Sequence, residues 1–133
     1  MRILLDTHIW LWSQEAPHEF GTAARKIILN EDSQLFVSSI SSLEIARLAW
    51  GKRLTLKMQL RSWIAETLNS LKAETLPITD AIALAAYALP GEFHRDPADR
   101  ILVATAVVHQ LTLITADCRI LEYPHVLSCN ARL

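Results

Sequence analysis

Glycine is scarce in this 133-residue chain, with only three, and proline occurs just five times. So few breakers argue against disorder or a long linker. There are two cysteines, Cys118 and Cys129. They make no disulfide framework, and neither has the CxxC partner of a structural zinc site. No apolar run reaches the roughly 20 residues that span a bilayer. The opening Met1-Arg2-Ile3-Leu4-Leu5-Asp6 brings a carboxylate too early for the apolar region of a signal peptide. The expectation is a cytoplasmic protein without a membrane partner. A formal charge of −1 excludes a globally basic nucleic-acid binder but leaves room for a local patch. Basic residues do gather in one region: Arg47, Lys52, Arg53, Lys57 and Arg61. They read either as an ordinary solvated helical surface or as an RNA track.

What the chain does have is apolar content. Half of its residues are hydrophobic, enough for one substantial core, and the length suits one domain over residues 1–133. Residues Arg2 to Asp6, Gln34 to Ser38, Ala73 to Leu76, Leu111 to Thr115 and Val126 to Ser128 read as short strands. Between them lie helical patterns. One begins at Thr7, and one begins at Pro17 with Phe20, Ala23, Ala24, Ile27 and Ile28 as its stripe. Ser41 opens a third, with Glu44 three residues on in a capping-box pattern and Gly51 as its stop. Leu56 to Leu71, the alanine-rich Thr79 to Ala88, and a helix from Pro97 to His109 complete the series. Strands alternating with helices imply a mostly parallel sheet of four to five short strands, covered on both faces. Ligands of such sheets bind beyond the carboxyl ends of the strands.

Four acids fall where that edge would gather them. Asp6 ends the first strand, Asp117 follows the strand Leu111 to Thr115, and Glu44 and Asp99 lie in the first turns of helices. Clustered carboxylates repel and tend to take up protons unless cations accompany them. Mg²⁺ and Mn²⁺ favour such oxygen ligands. The set therefore points to a metal-dependent enzyme acting on phosphate esters. Each acid also has a structural reading: Glu44 as half of a capping box, Asp96 as a helix N-cap, Asp99 as a charge favoured by a helix N-terminus, Asp117 as a turn residue.

Four segments carry a resemblance. They are Asp6-Thr7-His8-Ile9-Trp10-Leu11-Trp12, Ser41-Ser42-Leu43-Glu44-Ile45-Ala46, His94-Arg95-Asp96-Pro97-Ala98-Asp99-Arg100 and Ile114-Thr115-Ala116-Asp117. Together they resemble PIN-domain nucleases, and more narrowly the VapC-type toxins of bacterial toxin–antitoxin pairs. The resemblance covers nearly the whole chain. It implies a three-layer α/β/α sandwich and a metal-dependent endoribonuclease, with Asp6, Glu44, Asp99 and Asp117 as its acidic site. Asp6 and Asp99 would be direct ligands of Mg²⁺ or Mn²⁺. Glu44 and Asp117 would hold metal or its water, or support a second ion. Thr115 would orient the site through its hydroxyl, Asp96 would cap its helix, and Arg100 would pair with a neighbouring acid or touch phosphate.

The resemblance also implies a VapB-like antitoxin and a homodimer. Trp10, Trp12 and Trp50 are candidates for the partner surface. Residues two apart on a helix point about 200° apart, so Trp10 and Trp12 do not both face one core. Trp63 sits on a regular apolar stripe and belongs inside. His8 suits helix packing or the substrate edge better than a general base. An alternative is a non-catalytic RNA- or protein-binding module of the same fold, against which the intact acid set argues. A haloacid-dehalogenase-type phosphatase would need an acid where His8 stands. A receiver domain would need a lysine late in the chain, and none follows Lys72.

Overall fold

The computed structural model describes all 133 residues. Strand β1 (Arg2–Leu5) leads into helix α1 (Thr7–Glu15), a 3-10 turn (Pro17–Glu19) and α2 (Thr22–Leu29). Strand β2 (Gln34–Ser38) is followed by α3 (Ser39–Trp50) and α4 (Leu60–Leu71). Then come β3 (Glu74–Leu76), α5 (Asp80–Ala86), α6 (Pro97–His109), β4 (Thr112–Thr115), α7 (Cys118–Leu121) and β5 (Ser128–Asn130). The sheet order is β3-β2-β1-β4-β5. Every pairing is parallel.

Side chains on successive strand residues face opposite ways, and the central strands use both faces. Ile3, Leu5, Leu35, Val37 and Ile114 pack with Ile9, Trp10, Ile45 and Trp63 on one side. Leu4, Phe36 and Leu113 pack with Ile40, Leu102, Val103, Ala106 and Ile120 on the other. Helices α1 and α4 thus cover one face and α6 the other, which is the three-layer arrangement. Helix α5 lies outside α6, joined through Ile82, Ala86 and Ala104. Of its small side chains, Ala85 and Ala86 pack toward α6, while Ala81 and Ala83 are exposed.

Several boundaries differ from the sequence reading. Pro17 opens only the 3-10 turn, and α2 starts after Gly21. A Cβ on Gly21 would lie 2.2 Å from the Leu133 backbone carbon, so only glycine admits this close approach. Helix α3 begins at Ser39 under a cap from Ser38, whose side chain accepts from the Ile40 N–H. The capping box assigned to Ser41 and Glu44 does not form. Residues 56–59 lie outside α4, the last strand is shifted to Ser128–Asn130, and the short α7 carried no helical signal long enough to read.

The sheet order turns at β1. Strand β2 lies on one side of it and β4 on the other, so the chain leaves β1 and β4 into a natural crevice at their carboxyl ends.

Candidate metal centre

Asp6 follows β1 and caps α1: its Oδ1 accepts from the Thr7 N–H at 2.7 Å. Its Oδ2 accepts from the Thr115 hydroxyl at 2.6 Å. Asp6 is only 4% exposed, so both bonds hold one carboxylate orientation. The same Thr115 oxygen accepts from the Asp117 N–H at 3.0 Å. Asp117 in turn caps α7 through the Arg119 N–H. Thr115 therefore ties together the chain ends of β1 and β4.

Glu44 reaches the cleft from the second turn of α3. The Thr7 hydroxyl donates to its Oε1. With that proton committed, Ser41 Oγ, 2.8 Å from Thr7 Oγ1, is the donor in that contact. Asp96 caps α6, accepting from the N–H groups of Ala98 and Asp99. Asp99 stands one turn later. All five carboxylates, Asp6, Glu44, Asp96, Asp99 and Asp117, line one cleft of about 420 Å³ together with His8, Leu11, Leu43 and Arg47.

The electrostatics follow from this crowding. Burial, then the charges of Asp6, Asp96, Asp117 and Glu44, push the Asp99 carboxyl up to about 7. Glu44 is raised by burial, which outweighs the Thr7 hydrogen bond, with Asp6 and Asp96 adding to the rise. Asp117 behaves oppositely. Burial disfavours its charge, but the hydrogen bonds and charge of Arg119 prevail and lower its pKa. The Arg119 guanidinium lies 3.1 Å from Asp117 Oδ2 and 3.8 Å from Asp99 Oδ2.

The donor set fits a divalent cation. Ligand atoms of His94, Asp99 and Asp117 lie within 4.8 Å of one another. His94 Nε2 is sealed from solvent, 3.0 Å from Asp99 Oδ2, without a hydrogen-bond partner. Burial and then the charge of Arg119 lower the His94 pKa, which favours the neutral ring. Its Nδ1 accepts from the Asp96 N–H at 3.4 Å, which leaves the proton on Nε2, facing Asp99 Oδ2. A carboxyl pushed up by burial and by four like charges is the pattern a cation resolves.

The structure corrects two expectations. Arg100 pairs with no acid and does not line the cleft. It donates to the carbonyls of His94, Ala86 and Phe93 at 2.9–3.0 Å, and so fastens the segment carrying His94 to α6. Trp10 is fully buried, with its indole N–H on Thr67 Oγ1 at 2.9 Å and its ring 5.3 Å from Trp63. It is core, not partner surface. Trp12 is half-buried against Phe20, with Arg132 over its ring, and Trp50 is 87% exposed. His8 Nε2 accepts from the Ala116 N–H at 3.2 Å, a positioning contact that leaves this nitrogen unfit as a base. His94, Thr7 and Arg119 join the site without a place among the sequence expectations. For His94 a signal existed: it opens the same short segment that contains Asp96, Asp99 and Arg100.

A model of the PIN domain family matches residues 3–126. The chain belongs to the PIN-domain family. This PIN domain is 37% identical to ribonuclease VapC22 of Mycobacterium tuberculosis over 123 residues, 92% of each chain. Its fold is similar to a chain in the crystal structure of VapBC2 from Rickettsia felis bound to promoter DNA, with a TM-score of 0.71 at 19% identity and 98% coverage of both chains. A toxin–antitoxin complex from Klebsiella pneumoniae gives 0.66 at 24% identity and 97% coverage of both. These likenesses bear on the fold, the PIN-like three-layer α/β/α sandwich. No helix is long and apolar enough to cross a membrane.

Proposed function

We propose that this PIN domain, acting as one unit over residues 1–133, is a metal-dependent endoribonuclease and the toxin of a toxin–antitoxin pair. The observation that carries the reading is the meeting of five carboxylates in one cleft at the sheet's turning point, in a chain 37% identical to a protein named as a ribonuclease. Asp6 and Asp99 would hold Mg²⁺ or Mn²⁺, with Asp117 and Glu44 holding its water or a second ion. His94 braces Asp99, with Nε2 3.0 Å from its Oδ2. When bound, the cation lowers the pKa of water and neutralises phosphate charge.

The chain's own residues do the positioning. Thr115 and the Thr7 N–H fix Asp6. Thr7 holds Glu44 by its hydroxyl. Asp96 caps α6 and so presents Asp99 from the first turn of the helix. Arg119, largely exposed, is free to leave the carboxylates for an incoming phosphate oxygen. No serine, cysteine or histidine nucleophile is needed. A VapB-like antitoxin would cover the cleft, and a second copy of the chain would cover the exposed Leu84 and Tyr87 of the α5 region.

The test is cleavage of labelled single-stranded RNA by the antitoxin-free protein. Mg²⁺ or Mn²⁺ should support cleavage, EDTA should stop it, and Asp6→Asn should abolish it with the circular-dichroism spectrum unchanged. Cleavage that persists in EDTA would overturn the proposal.

A further inference from the structure

Helix α3 leads out of the acidic cleft. Leu43, Arg47 and Trp50 are spaced i, i+4 and i+7, so they form one stripe along it. Leu43 and Arg47 line the cleft. Leu43 is 62% exposed and Trp50 87% exposed. Trp50 stands six residues beyond Glu44, about 9 Å along the helix axis. It is the most exposed of the chain's large hydrophobic side chains, and its indole supports nothing in the core.

The charge around it has one sign. Between Glu44 and Glu66 the sequence contains Arg47, Lys52, Arg53, Lys57 and Arg61 and no carboxylate. All five cations are exposed. None takes part in any of the chain's ion pairs. In a chain of net charge −1, this is a strong local excess, and it begins where the carboxylates stop. An exposed aromatic plane flanked by unpaired cations suits a polyanion with accessible ring faces.

We propose that Trp50 is a base-stacking platform for an unpaired nucleotide of the RNA, next to the cut phosphate, with Arg47 and the Lys52–Arg53 pair on the neighbouring phosphates. The inference rests on the ribonuclease reading for the substrate class and adds a requirement to it. The bound segment is single-stranded, because bases within a duplex have no free face to offer. The cations give affinity without sequence preference, and the indole selects for unpaired structure.

The experiment is fluorescence anisotropy with a labelled single-stranded RNA of mixed sequence, and with the same strand in a duplex. Both are titrated with antitoxin-free protein in EDTA, so that no cleavage intervenes. Trp50→Ala should weaken single-strand binding about fivefold or more and leave duplex binding within twofold. Trp50→Phe, which keeps a ring face, should restore most of the affinity. Melting temperatures should not differ, since the side chain is solvated. Equal single-strand affinity for wild type and Trp50→Ala would overturn the inference. So would an equal loss on duplex. Cleavage by wild type in Mg²⁺ is scored separately. Trp50-dependent binding without any cleavage would support the platform and refute the hydrolase.

Discussion

The Thr115 hydroxyl donates to Asp6 Oδ2 at 2.6 Å across 109 positions of sequence. Both partners are almost completely buried. The bond joins the ends of two adjacent parallel strands and fixes the carboxylate at the centre of the acidic cleft. Thr115→Val keeps the shape and removes the donor. A buried hydrogen bond to a charged group contributes about 1.5–3 kcal/mol, and hydrogen-bond partners of metal ligands typically change metal affinity about 10–100-fold. The variant is expected to show both losses, in denaturant melts and in Mn²⁺ titration. Unchanged Mn²⁺ affinity would show that Asp6 needs no such anchor.

Asp99 makes stability depend on pH in a defined direction. Its carboxyl sits at about 7 in the folded metal-free protein, against about 3.9 in an unfolded chain. Between these values the folded state keeps a proton that the unfolded state has released. Stability therefore falls as pH rises from about 4 to 7. Glu44, also raised, acts in the same direction. Asp117, lowered, acts oppositely at the acid end, and His94, lowered, acts oppositely just below its ordinary value. Asp99→Asn should remove most of the decline and stabilise the metal-free protein at pH 8 by on the order of 1–3 kcal/mol. Urea melts at pH 5 and pH 8, with EDTA present, measure it. Wild-type stability that rises through this window would contradict the crowding of charges.

The tryptophans should separate cleanly. Trp10 is fully buried and hydrogen-bonded to Thr67, so Trp10→Ala is expected to cost about 3–5 kcal/mol. Trp50→Ala should stay within about 0.5 kcal/mol. Thermal melts of the two variants decide this.

Arg100 uses its fork on three carbonyls of the segment that carries His94. Lysine has the charge without the planar geometry. Arg100→Lys should therefore destabilise by about 1–3 kcal/mol and increase hydrogen exchange in residues 86–94. Exchange equal to wild type would show that the segment holds itself.

Much of the fold is legible in the sequence. The continuous apolar run Ile3, Leu4 and Leu5, buried on both faces of the sheet, and the helical pattern after Pro97 carry strong local signals. The four acids stood at strand ends and helix starts, where a parallel sheet converges. What was hidden depends on tertiary contacts. Ser41 looks like a helix cap because its spacing to Glu44 is right, yet Ser38 takes that role and Ser41 is buried against Thr7. Arg100 sits beside Asp99 in sequence, but on the helix its side chain is directed to the carbonyls of a preceding loop. Trp10 and Trp12 are equivalent in composition, and only the Thr67 hydroxyl and the Trp63 ring distinguish the inner one. Arg119 gains its role from α7, an element of four residues too short to announce itself by periodicity.

The central claim is that these carboxylates share a divalent cation, and calorimetric titration of Mn²⁺ into the purified protein at pH 8 tests it most directly. Wild type should bind with measurable heat, and Asp99→Asn should bind at least about tenfold more weakly while its circular-dichroism spectrum stays the same. Equal binding by the two proteins, or no binding by wild type, would contradict the account.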